Sequence, residues 1–321
     1  MEDFSKTWID LAQPRLGSKV VYATDDFFAD KKRLIDPAEP VFIPGKYDAH
    51  GKWMDGWESR RKRTPGHDHC VVRLGRPGIV HGIEVDTRHF TGNYPPAASI
   101  DWCRSIAVLP RAGWQSLVPK TPLRGNDRLF LPIAGVGPVT HLKLNIFPDG
   151  GVARLRVYGQ VAREWKKDER ADLAAMANGA LPVAANDEHF GRVANMLAPG
   201  NAKDMGDGWE TRRRRDPGHD WAIVALARAG QIDEIVVDTM HFKGNYPDRC
   251  FIQAAGESGL PRAELIAQSA DWPVLLPEQK LSANKRHVFE TQIRQHAPVR
   301  FVRLNIIPDG GIARLRLFGT V

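Results

Sequence analysis

Apolar and polar residues alternate along much of this chain. In 83–87, Ile83, Val85 and Thr87 fall on one side of an extended backbone, with Glu84 and Asp86 on the other. In 153–158, Ala153, Leu155 and Val157 share one side, and Arg154, Arg156 and Tyr158 share the opposite one. A period of two marks a strand with one face in a core. Turn formers such as Pro148-Asp149-Gly150-Gly151 separate these runs, as in antiparallel sheets. Helical periodicity is scarce. The exception is 163–179, rich in Ala, Glu, Lys and Arg and ending in Asn178-Gly179, which predicts a helix with its C-terminal stop.

The chain repeats itself. DGWESRRKRTPGHD (55–68) returns as DGWETRRRRDPGHD (207–220), and VDTRHFTGNYP (85–95) as VDTMHFKGNYP (237–247), both 152 residues on. LNIFPDGGVARLRVYG (144–159) returns as LNIIPDGGIARLRLFG (304–319), 160 residues on, and DDFFADKKRLI (25–35) has a fainter echo in DEHFGRVANML (187–197). Such a period is too long for a solenoid unit and reads as two copies of one domain. The prediction is an all-β chain of two tandem jelly-roll β-sandwiches, 1–162 and 180–321, joined by a short helical linker over 163–179.

Composition narrows the function classes. Of 321 residues, 42% are apolar and 26% charged, which excludes a disordered chain. The longest apolar stretch, Trp221 to Ala227, is far short of the ~20 residues of a membrane helix. The start, Met1-Glu2-Asp3, has no basic region followed by an apolar run, so no signal peptide is read there. Cys70, Cys103 and Cys250 lack metal-ligand spacing and read as reduced, buried thiols of a cytoplasmic protein. The net charge of +7 permits attraction to anions, but the basic residues are spread out apart from Arg60–Arg63 and Arg212–Arg215. A nucleic-acid binder would interleave such residues with exposed aromatics, and only Trp57 lies near the first run, so no nucleic acid is expected. Trp114 and Trp272 are candidate apolar positions for assembly into a homo-oligomer.

Three constellations recur in both copies. The first offers Glu58 and His67, with Glu210 and His219, as acid and base groups, and Asp68 or Asp220 to orient a histidine. The second offers Asp86 and Asn93, with Asp238 and Asn245. Glu84 and Arg88 become Val236 and Met240 between the copies while the acid stays, as expected of an acid with a partner, whether a ligand or a buried His or Arg. The asparagines serve either a ligand or the turn. The third offers Arg154 and Arg156, with Arg314 and Arg316. Two positions apart on a strand they sit roughly 7 Å from each other and could grip a carboxylate, or they line a solvated face or pair with acids. No cofactor is implied. A divalent cation at His67, His89 and Asp86 would require folding to gather them, and His69 of the first copy becomes Trp221 in the second. There is no Gly-rich phosphate loop and no Gly-x-Ser-x-Gly elbow.

The stretch WIDLAQPRLGSKVVYATDDFFADKKRLI (8–35), the twin DGWE…PGHD and DT-x-HF-x-GNYP blocks and the twin NI-x-PDGG-x-AR-L-R endings closely resemble the allantoicase (allantoate amidinohydrolase) family, from about Trp8 to Val321. The resemblance implies two galactose-binding-like jelly rolls. It also implies a hydrolase of linear amidines that converts allantoate to ureidoglycolate and urea in purine (allantoin) degradation. The alternatives are action on a related ureido compound such as ureidoglycolate, or a non-enzymatic carbohydrate-binding or partner-binding module. Allantoate has one carbon bearing a carboxylate and two ureido groups, and losing one ureido group requires protonating a poor leaving group. On that chemistry, arginines among Arg61, Arg154, Arg156, Arg213, Arg314 and Arg316 take the carboxylate. Glu58 or His67, and Glu210 or His219, take the acid–base role. Asp86 or Asn93, and Asp238 or Asn245, bind the ureido amides.

Overall fold

The computed structural model of the chain describes Phe4 and residues 7–321; the Met1-Glu2-Asp3 start lies outside them. The chain divides into two compact units, Met1–Ala162 and Arg163–Val321. Each is an antiparallel β-sandwich of the jelly-roll kind.

In the first unit, two long strands, Asp68–Asp86 and Arg128–Phe147, run through both layers and change register between Arg73 and Gly78. Beyond that break, residues 78–86 pair with Arg154–Val161, whose other edge carries Ile9–Asp10. Before it, residues 70–73 pair with Lys19–Ala23, and 141–147 pair with Ala97–Cys103, which continues to Gln115–Pro122. The alternating apolar positions fill the space between the layers. Val72, Ile83, Leu142, Leu144, Leu155 and Val157 are fully buried.

The second unit repeats the plan with Asp220–Asp238 as its long strand. The counterpart of the other long strand is split into Arg286–Phe289 and Val299–Ile307. The outer edge strand is Arg170–Asp172, paired with Phe318 to Thr320. This corrects the helix expected over 163–179. That segment holds a strand and then a 3-10 turn, Met176–Asn178, closed by Gly179 at φ 113°. Helix-forming composition is a weak prior that tertiary pairing overrides. Here Leu173 and Ala174 are buried, and the Asp172 carboxylate accepts from the backbone N–H of Ala174 and Leu317. The stretch begins the second copy and matches Ile9–Asp10 and the turn Pro14–Leu16 of the first.

The outward side of Arg154–Val161 is not a solvated face, one of the alternatives its sequence left open. Arg154, Arg156, Tyr158, Glu84 and Asp86 are all buried. Charges in such a place must be paired or hydrogen-bonded. Glu84 accepts from the Tyr158 hydroxyl at 2.9 Å and from Arg128 Nε at 2.6 Å. Burial and the Glu84 charge push the Tyr158 phenol well above its ordinary range.

Trp272 is not an assembly surface. It is buried against Ile223 and Leu265 in the second unit. Trp114 is half-buried, with the Lys143 ammonium 4.9 Å from its ring. The three cysteines are free and buried.

The Tyr158–Glu84 contact carries a prediction. Tyr158→Phe removes one donor from a buried carboxylate and should lower unfolding free energy by about 1–3 kcal/mol, read from urea denaturation midpoints. An unchanged midpoint would mean that the hydroxyl contributes nothing.

Candidate active site

Three turns meet at one end of each sandwich. In the first domain, the strand Trp57–Glu58 pairs with Gly151–Val152, placing Glu58 opposite Gly151. The 87–96 turn docks on the same place, with Gly151 N–H donating to the Asn93 carbonyl at 2.7 Å. Ser59 N–H donates to the Gly150 carbonyl at 3.1 Å, and the Asp149 carboxylate accepts from Lys62 N–H at 2.7 Å. The glycine pair is required by space. Gly150 has φ +137°, and a Cβ there would sit 2.7 Å from Pro95 N; a Cβ at Gly151 would enter the Phe90 ring. Both PDGG turns open on a cis peptide, Phe147–Pro148 and Ile307–Pro308.

The second domain repeats each contact. Trp209–Glu210 pairs with Gly311–Ile312, Gly311 N–H donates to the Asn245 carbonyl at 2.8 Å, and Asp309 accepts from Arg214 N–H at 2.8 Å.

This docking brings one carboxylate and one amide together in each copy. Asn93 Nδ2 donates to Glu58 Oε1 at 2.7 Å, and Asn245 Nδ2 donates to Glu210 Oε1. Glu58 is half-buried and has no ion-pair partner among the described residues. Burial raises its pKa above the ordinary glutamate value, against the opposing pull of the Asn93 hydrogen bond. Around Glu210 lies a cavity of about 550 Å3, lined by Asn245, Tyr246, Arg213, Asp248 and Asp309 among others.

Arg61 and Arg213 are exposed and make no ion pair among the described residues. His219 is not among the described residues lining the cavity. Its Nε2 lies 3.0 Å from Asn305 Oδ1, and His67 Nε2 lies 3.3 Å from Asn145 Oδ1. Sequence reasoning misses these two asparagines, although their recurrence within the LNI blocks is a signal that could have found them. It also misses Tyr246 and Asp248 of the cavity wall.

The other candidate arginines are not free to grip a ligand. Arg154 is 1% exposed, and its guanidinium donates to the carbonyls of Ala38, Asp55 and Ala153 and to Asp55 Oδ2 at 2.8 Å. Arg314 likewise donates to the carbonyls of Asn195, Gly200, Asp207 and Ala313 and to Asp207 Oδ2. Arg156 reaches the carbonyls of Asp36, Pro37 and Ala38, and Arg316 those of Met196, Ala198 and Gly200. Burial outweighs their attraction to nearby acids. It pushes Asp172 up to about 6 and Arg316 down, and it raises Asp10 beside Arg156.

Asp86 is likewise committed within the fold. It is fully buried and accepts from the half-buried Arg88, Nε at 2.9 Å and Nη2 at 2.6 Å. Asp238 is buried and accepts from Met240 N–H at 2.7 Å. His89 Nε2 lies 3.0 Å from the Pro40 carbonyl, with its backbone at φ 72°. No group of three His, Cys, Asp or Glu side chains among the described residues is gathered as a metal site.

The comparisons with known proteins follow this two-fold pattern. The family model described as the allantoicase repeat matches twice, over residues 9–162 and 171–321. The chain belongs to the allantoicase family. It is 59% identical to "Probable allantoicase 2" of Burkholderia pseudomallei, over 98% of this chain and 96% of that one. It is 53% identical to "Probable allantoicase" of Ralstonia nicotianae, over 99% and 96%. The crystal structure of allantoicase from Saccharomyces cerevisiae superimposes with a TM-score of 0.83 at 36% identity, covering 98% of this chain and 94% of that one.

The buried arginines set a prediction. Arg154→Ala leaves the Asp55 carboxylate without its guanidinium and should lower unfolding free energy by about 3–5 kcal/mol. Denaturant unfolding measures this. A variant of wild-type stability with a raised KM would restore Arg154 as a ligand-gripping residue.

Proposed function

We propose that the chain hydrolyses allantoate to ureidoglycolate and urea, a step of purine degradation, with the Glu–Asn pair of each repeat as the acid–base centre. Family membership over both repeats supports the reaction. The observation that carries the site is the pair itself. Glu58–Asn93 and Glu210–Asn245 are built identically from three turns, and the second borders a cavity roomy enough for a small ureide.

The chemistry follows from these groups. The exposed guanidinium of Arg61 or Arg213 takes the substrate carboxylate through forked hydrogen bonds. This fixes which ureido group leaves. Glu58 Oε1 is held by Asn93, leaving Oε2 for the substrate. In its protonated form Glu58 donates to the nitrogen of the leaving ureido group. The lone pair of the remaining ureido nitrogen expels urea and forms an N-acyliminium ion, which keeps its N–H proton. Water then adds to that carbon and returns its proton to Glu58. The raised pKa keeps a larger fraction of Glu58 protonated near neutrality. The asparagine side-chain carbonyl is an acceptor for ureido N–H groups; Asp248, on the cavity wall of the second repeat, has its carboxylate oxygens engaged by Arg249 and Lys280. Asp248 has no counterpart in the first repeat, where Pro96 stands.

No helix among the described residues is long and apolar enough to cross a membrane. Three unpaired, buried cysteines fit a reducing compartment, which supports placement in the cytoplasm.

The purified chain should release one urea per allantoate; no release overturns the reading. The double variant Glu58→Gln/Glu210→Gln should lower kcat by about 10²–10⁴-fold while remaining folded. The double variant Arg61→Gln/Arg213→Gln should chiefly raise KM. Wild-type kinetics in both variants would move the site elsewhere.

A further inference from the structure

The basic runs alternate in what their side chains do. Arg60 Nε is bonded to Asp25 at 2.7 Å and Lys62 to Asp68 at 2.8 Å. In the second copy Arg212 is bonded to Asp187 at 2.8 Å and Arg214 to Asp220 at 2.6 Å. Alternating with these anchors, Arg61, Arg63, Arg213 and Arg215 are exposed and make no ion pair among the described residues. The anchors are rigid. Asp68 and Asp220 are each 2% exposed and are held further by Thr24 and Asn186. The backbone of Lys62 or Arg214 is pinned by Asp149 or Asp309. Each run therefore presents two unneutralised guanidiniums, two positions apart, from a fixed support.

In the second domain a separate cavity of about 460 Å3 opens on this run, lined by Arg212–Arg215, Asp216 and the anchoring acids Asp187 and Asp220. Glu210 and Asn245 are not among its described lining residues, whereas Arg213 and the Asp220-bound Arg214 border both cavities. Once Arg212 is set against Asp187 and Arg214 against Asp220, Arg213 and Arg215 remain against Asp216 alone. In the first domain Thr64 stands in place of Asp216, so Arg61 and Arg63 face no acid at that position.

We propose that this second cavity binds a small oxyanion of the phosphate class between Arg213 and Arg215, and that Arg61 and Arg63 form the equivalent site in the first domain. A tetrahedral oxyanion offers enough acceptors to engage two guanidinium forks at once. An oxyanion seated there draws Arg213 away from the substrate cavity, so it competes with allantoate. Only this kinetic consequence rests on the role given to Arg213 under Proposed function; the binding does not.

The test titrates inorganic phosphate into the full chain by calorimetry, at constant ionic strength set with sodium chloride, and repeats it with Arg63→Gln/Arg215→Gln. Both substituted residues are exposed and lie outside the proposed acid–base centre. The native chain should bind phosphate, and the double variant should bind it about tenfold or more weakly. Phosphate should raise the KM for allantoate at unchanged kcat in the native chain. That effect should vanish in the double variant, which keeps its basal kcat. Absence of phosphate binding beyond the chloride control overturns the proposal, as does equal binding in the double variant. A chain that binds phosphate through these arginines but releases no urea overturns the allantoate reading alone.

Discussion

The geometry of each domain depends on one buried guanidinium. Arg154 and Arg314 lie beneath the end of the sandwich and donate to three and four carbonyls respectively, and to one carboxylate each. The carboxylate and one carbonyl belong to Asp55 or Asp207, the residue that opens the DGWE block. Three residues later comes Glu58 or Glu210. The arginine thereby fixes the start of the short strand that carries the glutamate, and pairing with Gly151–Val152 or Gly311–Ile312 fixes its end. A planar donor fork suits this task, because it satisfies several diverging carbonyls that would otherwise be buried without partners.

The glutamate is placed by the same frame and then left under-neutralised. Asp55, Asp68 and Asp86 each have a cation, whereas Glu58 has an amide. An amide orients a carboxyl without holding it ionised as an arginine would, and burial then raises its proton affinity. The second copy preserves the frame across local changes. Arg88, which neutralises Asp86 and also reaches Glu39, is replaced by Met240, yet Asp238 still accepts a hydrogen bond from the backbone N–H two residues on. The first copy carries an additional hairpin, Tyr47–Asp48 with Gly51–Lys52, without disturbing the Glu58–Asn93 contact.

Much of this was legible in the sequence, for identifiable reasons. Period-two patterning gave sidedness to strands such as Arg154–Val161. The repeated DGWE, GNYP and PDGG blocks marked the three turns that converge on Glu58 and Asn93. Alternation could not say what covers the outward side. Arg154 and Arg156 point away from the core, as read, but the carbonyls of Asp36, Pro37, Ala38 and Asp55 close over them, and that cover comes from a loop with no periodic signature. The 163–179 segment misled in another way. Its composition favours helix, but Asp172 and Leu173 repeat Asp10 and Leu11 of the first copy, and pairing with the last strand decides its shape. The shorter interval of 152 residues between the DGWE blocks hid that correspondence, which needs an interval of 162.

The central claim is that a protonated glutamate, oriented by asparagine, starts the reaction. Its most direct test is the pH dependence of kcat/KM for urea release from allantoate. A proton donor is lost as pH rises through its pKa. The account therefore predicts a plateau at low pH and a fall of about tenfold per pH unit above the raised Glu58 value. A rate that instead climbs with pH through the carboxylate range would contradict it, because the glutamate would then be needed in its ionised form from the outset.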